Sequence, residues 1–169
     1  MWRMRTPIHA IALTAALCAV LAVAVAARAR QDASIPFPAG YRAWAHVKSV
    51  VVGPTSAAFA TEGGIHHIYA NEHALEGYRS GKFPDGSVIV YDLLETKEAN
   101  GNLLEGSPRR LDIMVKDSRR FAANAGWGFA SFRGGERTGG ELTPERQRQC
   151  LDCHAKRRDH DYVQSAFRN

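Results

Sequence analysis

Near the carboxyl end, Cys150 and Cys153 stand two residues apart and His154 follows the second directly. Thiols at this spacing can add to the two vinyl groups of one porphyrin while the imidazole ligates its iron, the attachment chemistry of a c-type haem. A zinc site would need a second pair of ligands. His46, His66, His67, His73 and His160 form no HxxxH pair, and there is no second CxxC. A CxxC redox couple would want a thioredoxin-like βαβ context, which is missing. The motif therefore predicts one covalently attached haem c, with Cys150 and Cys153 as anchors and His154 as the iron ligand.

The elements that must carry this motif can be read around it. Thr143 is a helix cap, Pro144 suits a first helical position, and Glu145 favours the positive end of the helix. That helix should deliver Cys150 to the porphyrin. Upstream, a short helix feeds a strand over Tyr41 to Val52, Gly53 to Gly64 reads as a loop, and Ile65 to Ala70 alternates as a strand. Asn71 caps a short helix that Gly81 ends, and Pro84-Asp85-Gly86 is a turn. Ser87 to Glu95 is the strongest strand, with Ser87, Ile89, Tyr91 and Leu93 on one side. Lys97 to Pro108 reads as a polar connection to an antiparallel strand over Arg109 to Lys116. Asp117 to Phe121 reads as one helical turn, and Trp127 to Arg133 as an aromatic strand. The tail from Asp161 to Phe167 is open to either helix or strand. A late CxxCH is foreign to small electron-transfer cytochromes, and β-branched alternating runs are poor material for a four-helix bundle. The prediction is an α+β domain, an antiparallel β-sheet with flanking short helices enclosing the haem.

Length and charge bound the rest. Arg3 and Arg5, the uncharged run from Ala10 to Ala27, and small-x-small sites at Ala24-Val25-Ala26 and Ala27-Arg28-Ala29 predict a secretory signal over residues 1–29. The run is also long enough to raise an uncleaved anchor as the alternative. Cys18 would leave with the signal, so residues 30–169 form a haem domain whose only thiols are the two of the motif. A periplasmic location fits that usage. Arg3, Arg5 and Arg28 leave too, taking the formal charge from +5 to +2. That balance excludes a nucleic-acid footprint.

The chain resembles the cytochrome P460 and cytochrome c′-β family. The matching residues run in order from Tyr41-Arg42-Ala43-Trp44 through the strand Ile65 to Asn71, Gly77-Tyr78 and Gly81 to Ser87. They continue through Val115 to Phe121, Trp127-Gly128-Phe129, the late CxxCH and Asp161-Tyr162-Val163. The resemblance implies a sheet-rich domain, usually a homodimer, with His154 proximal and an open distal side. It implies hydroxylamine oxidation or binding of nitric oxide and carbon monoxide, with a redox partner protein if the chain is an enzyme. The oxidising members carry a haem-linked lysine where this chain has Tyr91, leaving a phenol coupled to the porphyrin or packed on it. Glu145 falls where they hold a carboxylate, either a proton acceptor or an inert helix-end charge. His66 falls at a distal polar position, and Phe129 and Phe132 line the pocket or the core. The competing expectation is a six-coordinate electron-transfer cytochrome using Met114 or His66 as second ligand.

Overall fold

The computed structural model describes residues 34–167. Its frame is a five-stranded antiparallel meander in the order β1-β2-β3-β4-β5. The strands are β1 (Ala45–Val52), β2 (Gly64–Ala70), β3 (Val88–Ala99), β4 (Asn102–Lys116) and β5 (Trp127–Arg133). Helix α1 (Phe59–Glu62) enters β2, α2 (Glu72–Ser80) follows it, and α3 (Pro144–His154) runs into a 3-10 turn over Ala155–His160. This is the predicted α+β class. The predicted leader, residues 1–29, lies outside the described residues. Among those described, no helix is long and apolar enough to cross a membrane.

Alternation along the strands makes two apolar layers. On one side Ile89, Met114, Trp127 and Phe129 pack with Val47, Ala70, Ala74, Phe83 and Val163, and Cys150, Leu151 and Ile68 lie against them. On the other side Val90, Leu111, Ile113, Ala130 and Phe132 pack with Ile35 and Tyr41. A side chain two residues along a strand returns to the same face. Cross-strand register therefore aligns Ile68, Tyr91, Asp112 and Ser131 in one row of the first face, and His66, Leu93 and Arg110 in the next.

Local chemistry explains the element ends. The Asn71 carboxamide accepts from the Ala74 N–H at 3.0 Å and caps α2, and Gly81 closes that helix in the left-handed region. Gly77 lets α2 lie against Phe83, because a methyl there would collide with the ring. The Thr143 hydroxyl accepts from the Arg146 N–H and caps α3, with Pro144 in its first turn.

Three expectations need correction. Lys97 to Pro108 is not a polar connection: β3 and β4 pair on to Ala99 and Asn102, and Asn100 (φ 51) and Gly101 (φ 75) turn the hairpin between them. Two consecutive left-handed residues make a turn whose twist matches the strands, and Asn-Gly is the sequence that adopts it most readily. The loop Gly53 to Gly64 contains α1. Asp117 to Phe121 close as the expected single turn, the Phe121 N–H donating to the Asp117 carbonyl at 2.9 Å, and a 3-10 segment follows at Ala122–Asn124. The tail from Asp161 forms neither helix nor strand, and its first two carbonyls, those of Asp161 and Tyr162, face Trp127 on the sheet and His154 on α3.

Candidate functional site

Helix α3 holds the whole CxxCH motif on its last two turns. Cys150 is half-buried against the first apolar layer, Cys153 is exposed, and neither is in a disulfide. Burial, foremost, raises the Cys150 thiol above its ordinary pKa. The helix is clamped to β5 by Gln147, whose Oε1 accepts from the Phe129 N–H at 2.9 Å and whose Nε2 donates to the Phe129 carbonyl at 2.6 Å. Phe129, itself buried, lies with its ring 5.3 Å from that of His154.

His154 Nδ1 lies 2.8 Å from the Tyr162 carbonyl oxygen. A carbonyl can only accept, so Nδ1 carries the proton. Burial lowers the imidazole's pKa, with the Tyr162 bond opposing, so the ring is neutral near pH 7 and Nε2 keeps its lone pair. Fixing a metal-binding histidine's second nitrogen in this way sets its tautomer and its orientation. The carbonyl is aimed by an unusual turn in which Asp161 (φ 49) and Tyr162 (φ 67) are both left-handed. Asp161 locks that turn. Its carboxylate accepts from Lys116 Nζ at 2.9 Å and the Phe83 N–H at 3.0 Å, and its carbonyl accepts from Trp127 Nε1 at 2.9 Å.

These groups fit a c-type haem. Two free thiols, one of them half-buried, and a neutral imidazole with one available nitrogen share the end of one helix, beside an apolar sheet face.

The same sheet face carries a polar cluster. The Tyr91 hydroxyl donates to Glu62 Oε2 at 2.8 Å, Arg110 donates to both Glu62 oxygens at 3.0 and 2.8 Å, and Arg110 Nε donates to Asp112 at 2.7 Å. His66 lies with its ring 4.7 Å from that of Tyr91. Burial and then the Glu62 carboxylate push the Tyr91 phenol far above its ordinary pKa. Burial would raise Glu62, but the Tyr91 and Arg110 bonds outweigh it and hold the carboxyl below its usual range. His66 is 8 % exposed, and its Nε2 is buried with no hydrogen-bond partner among the described residues. Burial lowers its pKa, with Glu62 opposing, so it too is neutral.

Glu145 stands apart from this cluster. Its side chain is 67 % exposed beside Arg148 at 3.3 Å, and its own backbone N–H and the Thr143 hydroxyl hold its carboxyl below the usual range. Met114 is buried in the layer that contacts Cys150. Sequence reasoning missed Glu62, Arg110 and Asp112. A signal existed for the last two, since Arg110 and Asp112 alternate in phase with Met114 on a predicted strand, but nothing marked α1 as the element that returns Glu62 to the sheet.

A cleft of about 360 Å³ lies on the opposite side, lined by Tyr41, Arg42, Asp92 and Arg137 among others. No motif residue lines it. Its buried charge is already spoken for, since Asp92 accepts from Tyr41 at 2.7 Å and from Arg42 at 3.0 Å. The chemistry of the CxxCH face therefore outweighs the size of this cleft.

Comparison with curated proteins gives no match. A family model described as Cytochrome P460 matches residues 38–165. That span takes in the sheet, the clamped helix α3, the CxxCH motif and the Asp161-Tyr162 turn that holds its histidine, so the chain belongs to the cytochrome P460 family.

Proposed function

We propose that this cytochrome is exported to the periplasm and carries one haem c, with one side of its iron open to a small nitrogen species, hydroxylamine or nitric oxide. The observation that carries the reading is the Nδ1 bond from His154 to the Tyr162 carbonyl, which leaves the other imidazole nitrogen a lone pair that can ligate a metal. Cys150 and Cys153 would form the thioethers, and His154 Nε2 the proximal bond. When bound, the haem supplies an iron site for the ligand and a place for electrons removed from it.

The chain's own residues then act on the ligand. Phe129 and its apolar neighbours give the Cys150 side of the motif an apolar wall. His66 offers a buried, neutral, unpartnered nitrogen that can hydrogen-bond a small polar ligand. Tyr91 keeps its proton and donates a hydrogen bond to Glu62, which supports a packed and hydrogen-bonded phenol over one coupled to the porphyrin. Glu145 is the proposed proton acceptor for hydroxylamine. Because it stays ionised, it is available as a base, although a low pKa makes it a weak one. A homodimer and a redox partner protein complete the proposal.

One observation favours a second reading, a six-coordinate electron-transfer cytochrome. The same unpartnered His66 nitrogen, or the sulfur of buried Met114, could fill the distal position. Hydroxylamine turnover by the haem-loaded chain, compared with Glu145→Gln at equal haem content, tests the enzyme. Turnover lost in the variant supports Glu145 as base, and unchanged turnover removes it. Intact mass tests Tyr91, since coupling of the phenol to the porphyrin would remove a pair of hydrogen atoms.

A further inference from the structure

The sheet face opposite the CxxCH motif carries a second group of ligating side chains. His67 stands directly across from Ser49 in the β1–β2 register, and its Nδ1 lies 2.6 Å from Ser49 Oγ. His46 Nε2 lies 2.8 Å from the same oxygen. In a regular strand His46 and Ser49, three residues apart, would face opposite sides. The register shift between His46 and Lys48 absorbs the extra residue, Val47, which turns into the apolar layer and leaves His46 and Ser49 on one face. A bulge that re-aims a side chain in this way is a recurrent device at functional positions.

We propose that His46, Ser49 and His67 form a binding site for a divalent late transition metal, with Cu²⁺ the best fitted. Two imidazole nitrogens already converge from either side on one hydroxyl oxygen. Two nitrogens bound to one metal at their usual bond lengths sit about 3 Å apart, so small side-chain rotations would let an ion sit between them beside the hydroxyl. Glu105 completes the arrangement from behind, its Oε1 2.8 Å from the solvent-shielded Nε2 of His67. The Ser49 hydroxyl can donate to Nδ1, which leaves that nitrogen a lone pair, and a carboxylate behind a histidine raises its strength as a ligand.

The donor set limits the metal. Among the described residues no group of three or more His, Cys, Asp or Glu side chains is arranged to hold one, so this is a two-nitrogen site completed by the hydroxyl and water. Mixed nitrogen and oxygen ligation with open positions suits tetragonal Cu²⁺, which also binds most tightly among the divalent first-row ions. A closed structural zinc site would need four protein ligands.

The test is calorimetric titration of CuCl₂ into the oxidised, haem-loaded full chain, with copper electron paramagnetic resonance on the product. The expected result is one Cu²⁺ per chain with an axial spectrum split by two nitrogens. His46→Ala and His67→Ala should each weaken binding by roughly ten-fold or more, and Glu105→Gln by roughly 10–100-fold. Ser49→Ala should weaken binding too, but by less than either histidine variant, because the nitrogens dominate. His67 is partly buried, so its variant counts only if its haem spectrum and melting midpoint match the parent's. His46 is exposed, and its variant decides otherwise. Copper bound equally well by His46→Ala, or a spectrum without nitrogen splitting, would overturn the proposal.

Discussion

Replacing Asp161 by alanine should be among the most damaging single changes outside the aromatic core, although the residue touches neither thiol. Its carboxylate and Lys116 are each only 12 % exposed, so the change strands an ammonium group in a largely dry site. Breaking a buried pair by removing one partner costs about 3–5 kcal/mol. The Phe83 N–H loses its acceptor as well, which alone costs about 1–3 kcal/mol. These losses overlap, and Lys116 keeps the Ala125 carbonyl at 3.3 Å, so a total of about 3 kcal/mol is expected. For a domain of this size that is a fall of roughly 10 °C in melting midpoint. Asp161→Asn retains an acceptor oxygen and the tolerance for left-handed backbone, and should cost about 2 kcal/mol. Denaturant unfolding followed by circular dichroism measures both. Asp159→Ala is the control, since that side chain is 75 % exposed beside Arg157 and should lie within about 0.5 kcal/mol of the parent. Adding Lys116→Met to Asp161→Asn should recover part of the loss, because an apolar replacement removes the stranded charge. An Asp161→Ala protein less than about 1 kcal/mol below the parent would refute the reasoning.

The remaining predictions concern packing and pH. Gly77→Ala should destabilise by about 1–3 kcal/mol, read from denaturant unfolding, because the methyl would drive α2 away from Phe83. Burial pushes the Tyr78 phenol up to about 12, with its bond to Ser165 opposing. An acid whose folded pKa is raised contributes stability that is present below the ordinary tyrosine pKa near 10 and lost as pH rises toward the folded value. Alkaline unfolding between those limits should therefore lessen in Tyr78→Phe. On the acid side His66 is held neutral by burial, so its contribution is present above the ordinary histidine pKa and lost as pH falls through the depressed one. Thermal melts from pH 7 to pH 5 should show a decline that is flatter in His66→Gln.

Most of the frame was legible because its signals are local. The caps at Asn71 and Thr143, the stop at Gly81 and the strict alternation of Trp127 to Arg133 each depend on a few neighbouring residues, and each appears in the structure. The hairpin tip is harder to read, because Glu98, Asn100, Asn102 and Glu105 look like a solvated connection and mask the Asn100-Gly101 pair that folds them back. The anchors of the haem site were written in five consecutive residues. Their supports were not, since Asp161 reaches Lys116 and Phe83 across the fold and Glu62 meets Tyr91 and Arg110 through a helix of one turn. The bulge at Val47 was equally silent, because a strand with one extra residue keeps its apolar character while reversing which side a histidine faces.

The central claim is that His154 holds the haem iron from one side while the other stays open. The absorption spectrum of the dithionite-reduced, haem-loaded chain before and after carbon monoxide tests it most directly. The expected result is a high-spin ferrous spectrum that shifts on adding the gas and is lost in His154→Ala. A sharp low-spin spectrum indifferent to carbon monoxide would contradict it and place His66 or Met114 on the iron.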